Sequence, residues 1–195
     1  CQTIATLISQ KAGHYMIFFP SMAYLEAVLN QFMDQYPSVH VIRQEADMDN
    51  AARQQFLRQF QTDPQQTKVG FALLGGIFSE GIDLKNDQLI GVGIVSVGLP
   101  GINNEANLIR DYFDQLNHQG FSYAYQLPGF NNVSQAAGRV IRTTTDKGVI
   151  VLMDHRFSQA RYRNIFPDHW TNVRVINQPD QLKKQLQAFW NSFPN

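Results

Sequence analysis

Charge is what this chain has least of. Of its 195 residues, 16 are Lys or Arg and 16 are Asp or Glu, so charged residues make up 16% and the formal net charge is zero. About a quarter is usual for a soluble domain. A neutral chain lacks the bulk electrostatic footprint of a strongly basic nucleic-acid protein, although a local basic groove stays open. Cysteine is nearly absent: Cys1 is the single one. That excludes a disulfide framework and a cysteine-based metal site, and suits a reducing, cytoplasmic compartment. No run approaches the roughly 18 apolar residues of a membrane-spanning helix. The N-terminus has no basic flank and apolar core of a signal peptide, and no initiator methionine, so the chain is expected to be a fragment of a larger protein. Repeats and low-complexity tracts are missing. The five histidines (14, 40, 118, 155 and 169) show no metal-ligand spacing.

What is present is a regular alternation of apolar runs and amphipathic stretches. Hydrophobic residues reach 44%, and a chain of this length suits a single domain with one sizeable core, expected to span 1–195. The runs "YMIFF" (15–19), "VHVI" (39–42), "KVGFALL" (68–74), "LIGVGIVSVG" (89–98), "GVIVLMD" (148–154) and "VRVI" (173–176) read as strands. Helical periodicity marks 3–11, a stretch from a Ser21 cap to about Gln35, then 50–60, 103–118, 132–142, 156–166 and 179–192, with 121–127 extended. Near-continuous apolar strands separated by helices predict an α/β fold with a mostly parallel sheet covered on both faces. Ligands of such sheets bind at the carboxyl ends of the strands.

Three stretches could carry chemistry there. "GGIFSEGIDL" (75–84) follows a buried strand, with glycines for close backbone approach and two carboxylates, Glu80 and Asp83. An ordinary turn with solvated acids is the plain alternative. "QAAGRVIRTTTDKG" (135–148) places Arg139 and Arg142 three residues apart. On one helix they share a face, with Gln135 about a turn earlier. Two arginines and an amide suit a transferring phosphoryl group, because the guanidinium is a permanent, forked donor. By spacing alone, two solvated surface arginines are the commoner reading. Gly138 inside that helix costs about 1 kcal/mol against alanine, which suggests a close neighbour. "FFPS" (18–21) ends a strand at a serine-capped helix whose free amides suit an anion. Simple capping explains it equally. Tyr123, Tyr125 and Phe130 could stack bases, with core packing the better expectation.

Taken in order, "FFPS", "SEGIDL", "QAAGRVIR" with Asp146 and Gly148, "LMDHRF" (152–157) and "YRNIFPDHW" (162–170) resemble the second motor domain of superfamily 2 DNA helicases, in the Rad3/XPD/DinG group. The resemblance covers essentially the whole chain. It implies a three-layer RecA-like domain that closes over ATP held, with Mg2+, mainly by a first motor domain. It implies Arg139 as the arginine finger, assisted by Arg142, with Gln135 at the nucleotide. It places Gly81, Asp83 and Glu80 on the nucleotide side, and Ser21, Ser79 and Gly76 toward single-stranded DNA. The group's iron–sulfur cluster, where present, belongs to the first-domain half. No G-x-x-x-x-G-K-[ST] loop and no magnesium-binding acidic box occur here, so the domain alone is expected to be inactive toward ATP. Two other readings stay open: a non-motor regulatory domain that binds a nucleotide or a protein, and a free-standing α/β enzyme using Glu80 and Asp83.

Overall fold

A computed structural model describes residues 1–61, 64–80, 88–141 and 146–193, with Glu80 as backbone only. Its centre is a five-stranded, all-parallel sheet: β1 (His14–Phe19), β2 (His40–Arg43), β3 (Lys68–Leu73), β4 (Gly91–Val95) and β5 (Val149–Met153), in the order β2-β3-β1-β4-β5. The central position of β1 explains its sequence. It pairs with β3 on one side (Ile17 opposite Phe71) and β4 on the other (Ile17 opposite Gly93), so all six of its residues are buried. A strand enclosed on both edges and both faces has no polar side to show.

Helices cover both faces. They are α1 (Gln2–Ile8), α2 (Met22–Gln35), α3 (Asn50–Arg58), α4 (Ile77–Glu80), α5 (Asn104–Asn117), α6 (Leu127–Ala137), α7 (Ala160–Arg163) and α8 (Pro179–Asn191). The sheet divides the core into two apolar layers. One gathers Met16, Phe18, Phe56, Phe78, Ile94, Val133 and Phe157. The other gathers Leu7, Ile17, Phe19, Leu25, Phe32, Phe71, Leu186 and Trp190. No described helix is long and apolar enough to cross a membrane.

Ser21 caps α2 as its sequence position predicts: its backbone is extended and its Oγ accepts from the Tyr24 amide at 3.2 Å. Ser21→Ala should therefore cost about 1 kcal/mol, while Ser21→Asp should stay near wild type, as read by thermal melting.

Four expectations need correction. Residues 121–127 are not extended; Ser122–Gln126 forms a π-helical turn running into α6. Aromatic content suggests a strand, but burial of Ala124, Tyr125 and Gln126, and a hydrogen bond from the Tyr125 hydroxyl to Asn107 Oδ1 at 3.2 Å, hold the turn against α5. Residues 173–176 form no strand. That segment is tied to α8 by side chains, with Arg174 donating to Gln185 Oε1 and the Asn177 amide to Gln181 Oε1. The stretch 156–166 splits into a 3-10 turn, His155–Ser158, and α7, because Gln159 between them is extended. Finally, α6 begins at Leu127, with Pro128 in its first turn, and ends at Ala137.

That last shift moves Arg139 off the helix. Gly138 caps the end of α6, and the Arg139 and Val140 amides tighten the chain by bonding the Ala136 and Ala137 carbonyls. Among the described residues, a Cβ at Gly138 would meet only the carbonyl oxygens of Ser134 and Gln135, at 3.3 and 3.6 Å. With φ −65° and ψ −4°, Gly138 holds a conformation that any residue adopts, and no close neighbour among the described residues explains the glycine.

The chain from 102 to 123 stands apart from the core. Ile102, Leu108, Tyr112 and Leu116 are exposed at 85%, 72%, 62% and 63%. Tyr123 is exposed and stacks on Phe113 at 4.0 Å, whereas Tyr125 and Phe130 are buried.

Candidate functional site

All five strands point the same way, so their carboxyl ends share one edge; Ser21, Gly75 and Gly76 follow strands there, whereas α6 starts beside Gly98 at that edge and runs back, so that Val140 beyond its far end lies against Gly148, next to Ile90, just before β5 and β4. Ser21 follows β1 and is exposed. Gln44 follows β2; its amide donates to the Phe71 carbonyl at 2.8 Å and its Oε1 accepts from Leu73 N at 2.9 Å, locking the edge of β2 to β3. A groove of about 250 Å3, lined by Met22, Glu26, Arg43, Gln44, Glu45 and Ala46, opens beside it. Sequence reading passed over Gln44; its signal is a polar amide, only 6% exposed, directly after a strand.

After β3 the chain turns at Gly75, whose φ of +72° suits glycine, and enters the single turn of α4. A Cβ on Gly75 would approach the Asn132 side chain of α6 to 2.8 Å. Ser79 is fully buried, and its hydroxyl donates to the Gly76 carbonyl at 2.8 Å. That hydroxyl is thus committed within the turn, while the Ser79 carbonyl accepts from Arg139 Nε at 2.8 Å. Residues 60 apart in sequence are joined here. Below the turn, Phe78 stacks on Phe56 of α3 at 4.2 Å.

The structure therefore brings Arg139, Ser79 and Gly76 into one cluster beside α6. Gln135 lies on the exposed face of α6, Arg139 is half-buried, and Ser21 starts α2, which buries Leu25 and Phe32 in the other apolar layer. Gly81, Asp83 and Arg142 lie outside the described residues, as does the Glu80 side chain.

After β4 comes Ser96, one of two non-glycine residues with positive φ among the described residues, at 79°. Such a conformation costs about 1–2 kcal/mol outside glycine and needs support. Gly98 follows at φ +69°, pressed against Gly129 of α6: a Cβ there would lie 2.7 Å from the Gly129 carbonyl oxygen. After β5, Arg156 forks onto Asp154, with Nε to Oδ1 at 2.9 Å and Nη2 to Oδ2 at 2.7 Å. Nη2 also reaches Ser96 Oγ at 3.3 Å.

The hydrogen bonds from Arg156 hold the Asp154 carboxyl below its ordinary range, with burial opposing them. The sign follows. A lowered folded-state pKa means the carboxylate stabilises the fold above its unfolded value of 3.8, and that contribution disappears as pH falls through the still lower folded value. Asp154→Asn should cost about 1–2 kcal/mol near neutrality. Its melting-temperature deficit should shrink toward zero as the buffer is acidified below that range, and a deficit constant with pH would show that the charge is not what matters.

Among the described residues no three His, Cys, Asp or Glu side chains converge as a metal site.

Comparisons with known proteins agree with this architecture. A family model described as a helicase C-terminal domain matches residues 4–173. ATP-dependent DNA helicase CHL1 of Candida albicans is 29% identical over 181 residues, covering 82% of this chain and 21% of that protein. A probable ATP-dependent helicase of Methanocaldococcus jannaschii is 29% identical over 205 residues, covering 94% of this chain and 30% of that protein. A regulator of telomere elongation helicase 1 homolog from Caenorhabditis elegans is 36% identical over 133 residues, covering 62% of this chain and 13% of that protein. The chain thus spans less than a third of these relatives. Among solved structures, an apo XPD structure superposes with a TM-score of 0.64 at 19% identity, covering 83% of this chain and 32% of that one. The C-terminal domain of the DEAD-box protein Dbp5 gives 0.54 at 12% identity, covering 96% of this chain and 87% of that one. The fold is thus that of a RecA-like helicase domain, and with the matched family model the chain belongs to the helicase C-terminal domain family of Rad3/XPD-type superfamily 2 helicases.

Proposed function

We propose that this chain is the second motor domain of an ATP-dependent DNA helicase, and that it supplies arginines to ATP and Mg2+ held by a first motor domain. The observation that carries the reading is the Arg139–Ser79 hydrogen bond beside α6. A guanidinium fixed through Nε is oriented before a ligand arrives. A preoriented cation stabilises developing charge without reorganising at the moment of reaction. Arg139 then acts as the finger on the γ-phosphate, Arg142 assists it, and Gln135 on the exposed face of α6 contacts the nucleotide. Gly81, Asp83 and Glu80 complete the nucleotide side.

The single-stranded DNA track runs over the carboxyl edge of the sheet. Ser21 and the Gly76 backbone face it, while Ser79, with its hydroxyl turned inward, carries the carbonyl that links the track to Arg139. Contact with the DNA backbone is sequence-tolerant and salt-sensitive. ATP supplies the energy; this chain's own share is to orient charge and to move with the closing of the two domains. The apolar residues exposed between 102 and 123 support a domain that works against other protein surface. With a single cysteine, this chain offers no ligand set for an iron–sulfur cluster. The test is ATP turnover by the full-length parent with and without single-stranded DNA. Stimulation by the strand is expected, and turnover indifferent to it would sink the reading.

A further inference from the structure

We infer that Ser96, Asp154 and Arg156 form a positioning device for α6, and through it for Gln135 and Arg139. The inference rests on the motor reading above and adds residues that reading does not use.

Three features meet at the exits of β4 and β5. Ser96 is held in a left-handed conformation, φ 79°, directly where β4 ends. Its Oγ accepts from Arg156 Nη2, and Arg156 is itself fixed by the two-pronged pairing with Asp154. Asp154 Oδ1 also accepts from the Arg156 amide at 2.9 Å, so backbone and side chain of Arg156 are pinned by one carboxylate. Two residues beyond Ser96, the backbone of Gly98 lies against that of Gly129, in the first turn of α6, with no room for a Cβ on either. The path of the β4 exit therefore sets where α6 starts.

The β5 exit grips α6 from another side. Phe157, next to Arg156, packs on Phe166, and Phe166 stacks on Phe130 of α6 at 5.4 Å. The Gln126 side chain, just before α6, donates to the Arg161 carbonyl at 2.5 Å. Moving the Ser96 loop or the Arg156 turn thus shifts the helix that presents Gln135 and ends two residues before Arg139. A strained serine at a strand exit persists only where its surroundings enforce it. A forked guanidinium can enforce it, whereas a lysine offers a point charge without the fork.

The test uses the full-length parent. Arg156→Lys keeps the charge and removes the fork. We expect kcat for DNA-stimulated ATP hydrolysis to fall by roughly ten- to a hundredfold, the scale of a small misplacement at a reacting centre. KM for ATP should stay within about twofold, because binding is the first domain's task. In an Arg139→Ala background, followed by single turnover with excess enzyme, Arg156→Lys should cause no further loss, since it acts through the missing group. Hydrogen exchange at 96–99 and 127–139 should rise.

Unchanged kcat, losses that multiply, or a raised KM at constant kcat would each overturn the inference. Should Arg156→Lys not fold, Ser96→Gly decides: glycine takes the same φ freely and deletes only the Oγ contact. A severalfold loss of turnover then supports the device, and full turnover refutes it. The two readings fail separately. Collapse in Arg139→Ala with normal Arg156→Lys removes the positioning device alone. A wild type that does not hydrolyse ATP, or an Arg139→Ala variant that matches it, removes the motor reading and the device with it.

Discussion

In the full-length parent, Arg139→Ala is expected to leave ATP binding near wild type while ATP turnover falls about a thousandfold, the scale of a lost arginine finger. The reason is where the residue stands. Arg139 lies just past the end of α6, with Nε committed to the Ser79 carbonyl. A group so placed adds little to ground-state binding and much to charge that develops only during transfer. The fold itself should lose only about 1 kcal/mol, the net worth of one hydrogen bond, so a melting curve separates a catalytic loss from a folding one. Arg139→Lys should recover little of the rate, because it restores a charge without the Nε donor that fixes its direction. Turnover unchanged in Arg139→Ala would leave the 135–140 segment with a structural role alone.

Gly98→Val is expected to destabilise the domain by roughly 3 kcal/mol or more, whereas Gly101→Val, three residues on, should fall within about 0.5 kcal/mol of wild type. Two penalties act together at Gly98. Its φ of +69° is one that β-branched residues avoid, and a Cβ would sit 2.7 Å from the Gly129 carbonyl oxygen and 2.9 Å from Leu74. Backbone cannot step aside as a flexible side chain can. A Cβ on Gly101 would meet no described atom within 4 Å, and its φ is not positive. Denaturant unfolding of the pair checks this, and equal midpoints would mean that the β4 exit and α6 are not in the tight contact described. Since that contact sets the start of α6, Gly98→Val in the parent should depress ATP turnover as well.

The sequence by itself determined the elements whose signal is local. Five of the six apolar runs form the sheet, and the inner strands β1, β3 and β4, covered on both faces, carry the strongest apolar signal. Ser21 caps α2 because capping is settled within three residues. The order of motifs was enough to point to the family. Where local pattern and tertiary contact disagreed, contact won. The aromatic stretch 121–127 became a π-helical turn because its hydrogen-bonding partner lies in α5. The run 173–176 stayed outside the sheet, tied to α8 by side chains. Arginine spacing suggested two cations on one helix face, yet α6 ends at Ala137 and Arg139 is aimed by a carbonyl 60 residues away.

That last separation marks what only the tertiary structure decided. Placing β1 in the middle, with β3 and β4 on either side, brings the exits of β3, β4 and β5 around α6. Ser79 then meets Arg139, Gly98 meets Gly129, and Ser96 meets Arg156. No periodicity records such pairs. They are set by strand order, and strand order arises from how the apolar faces of the whole chain can be buried at once.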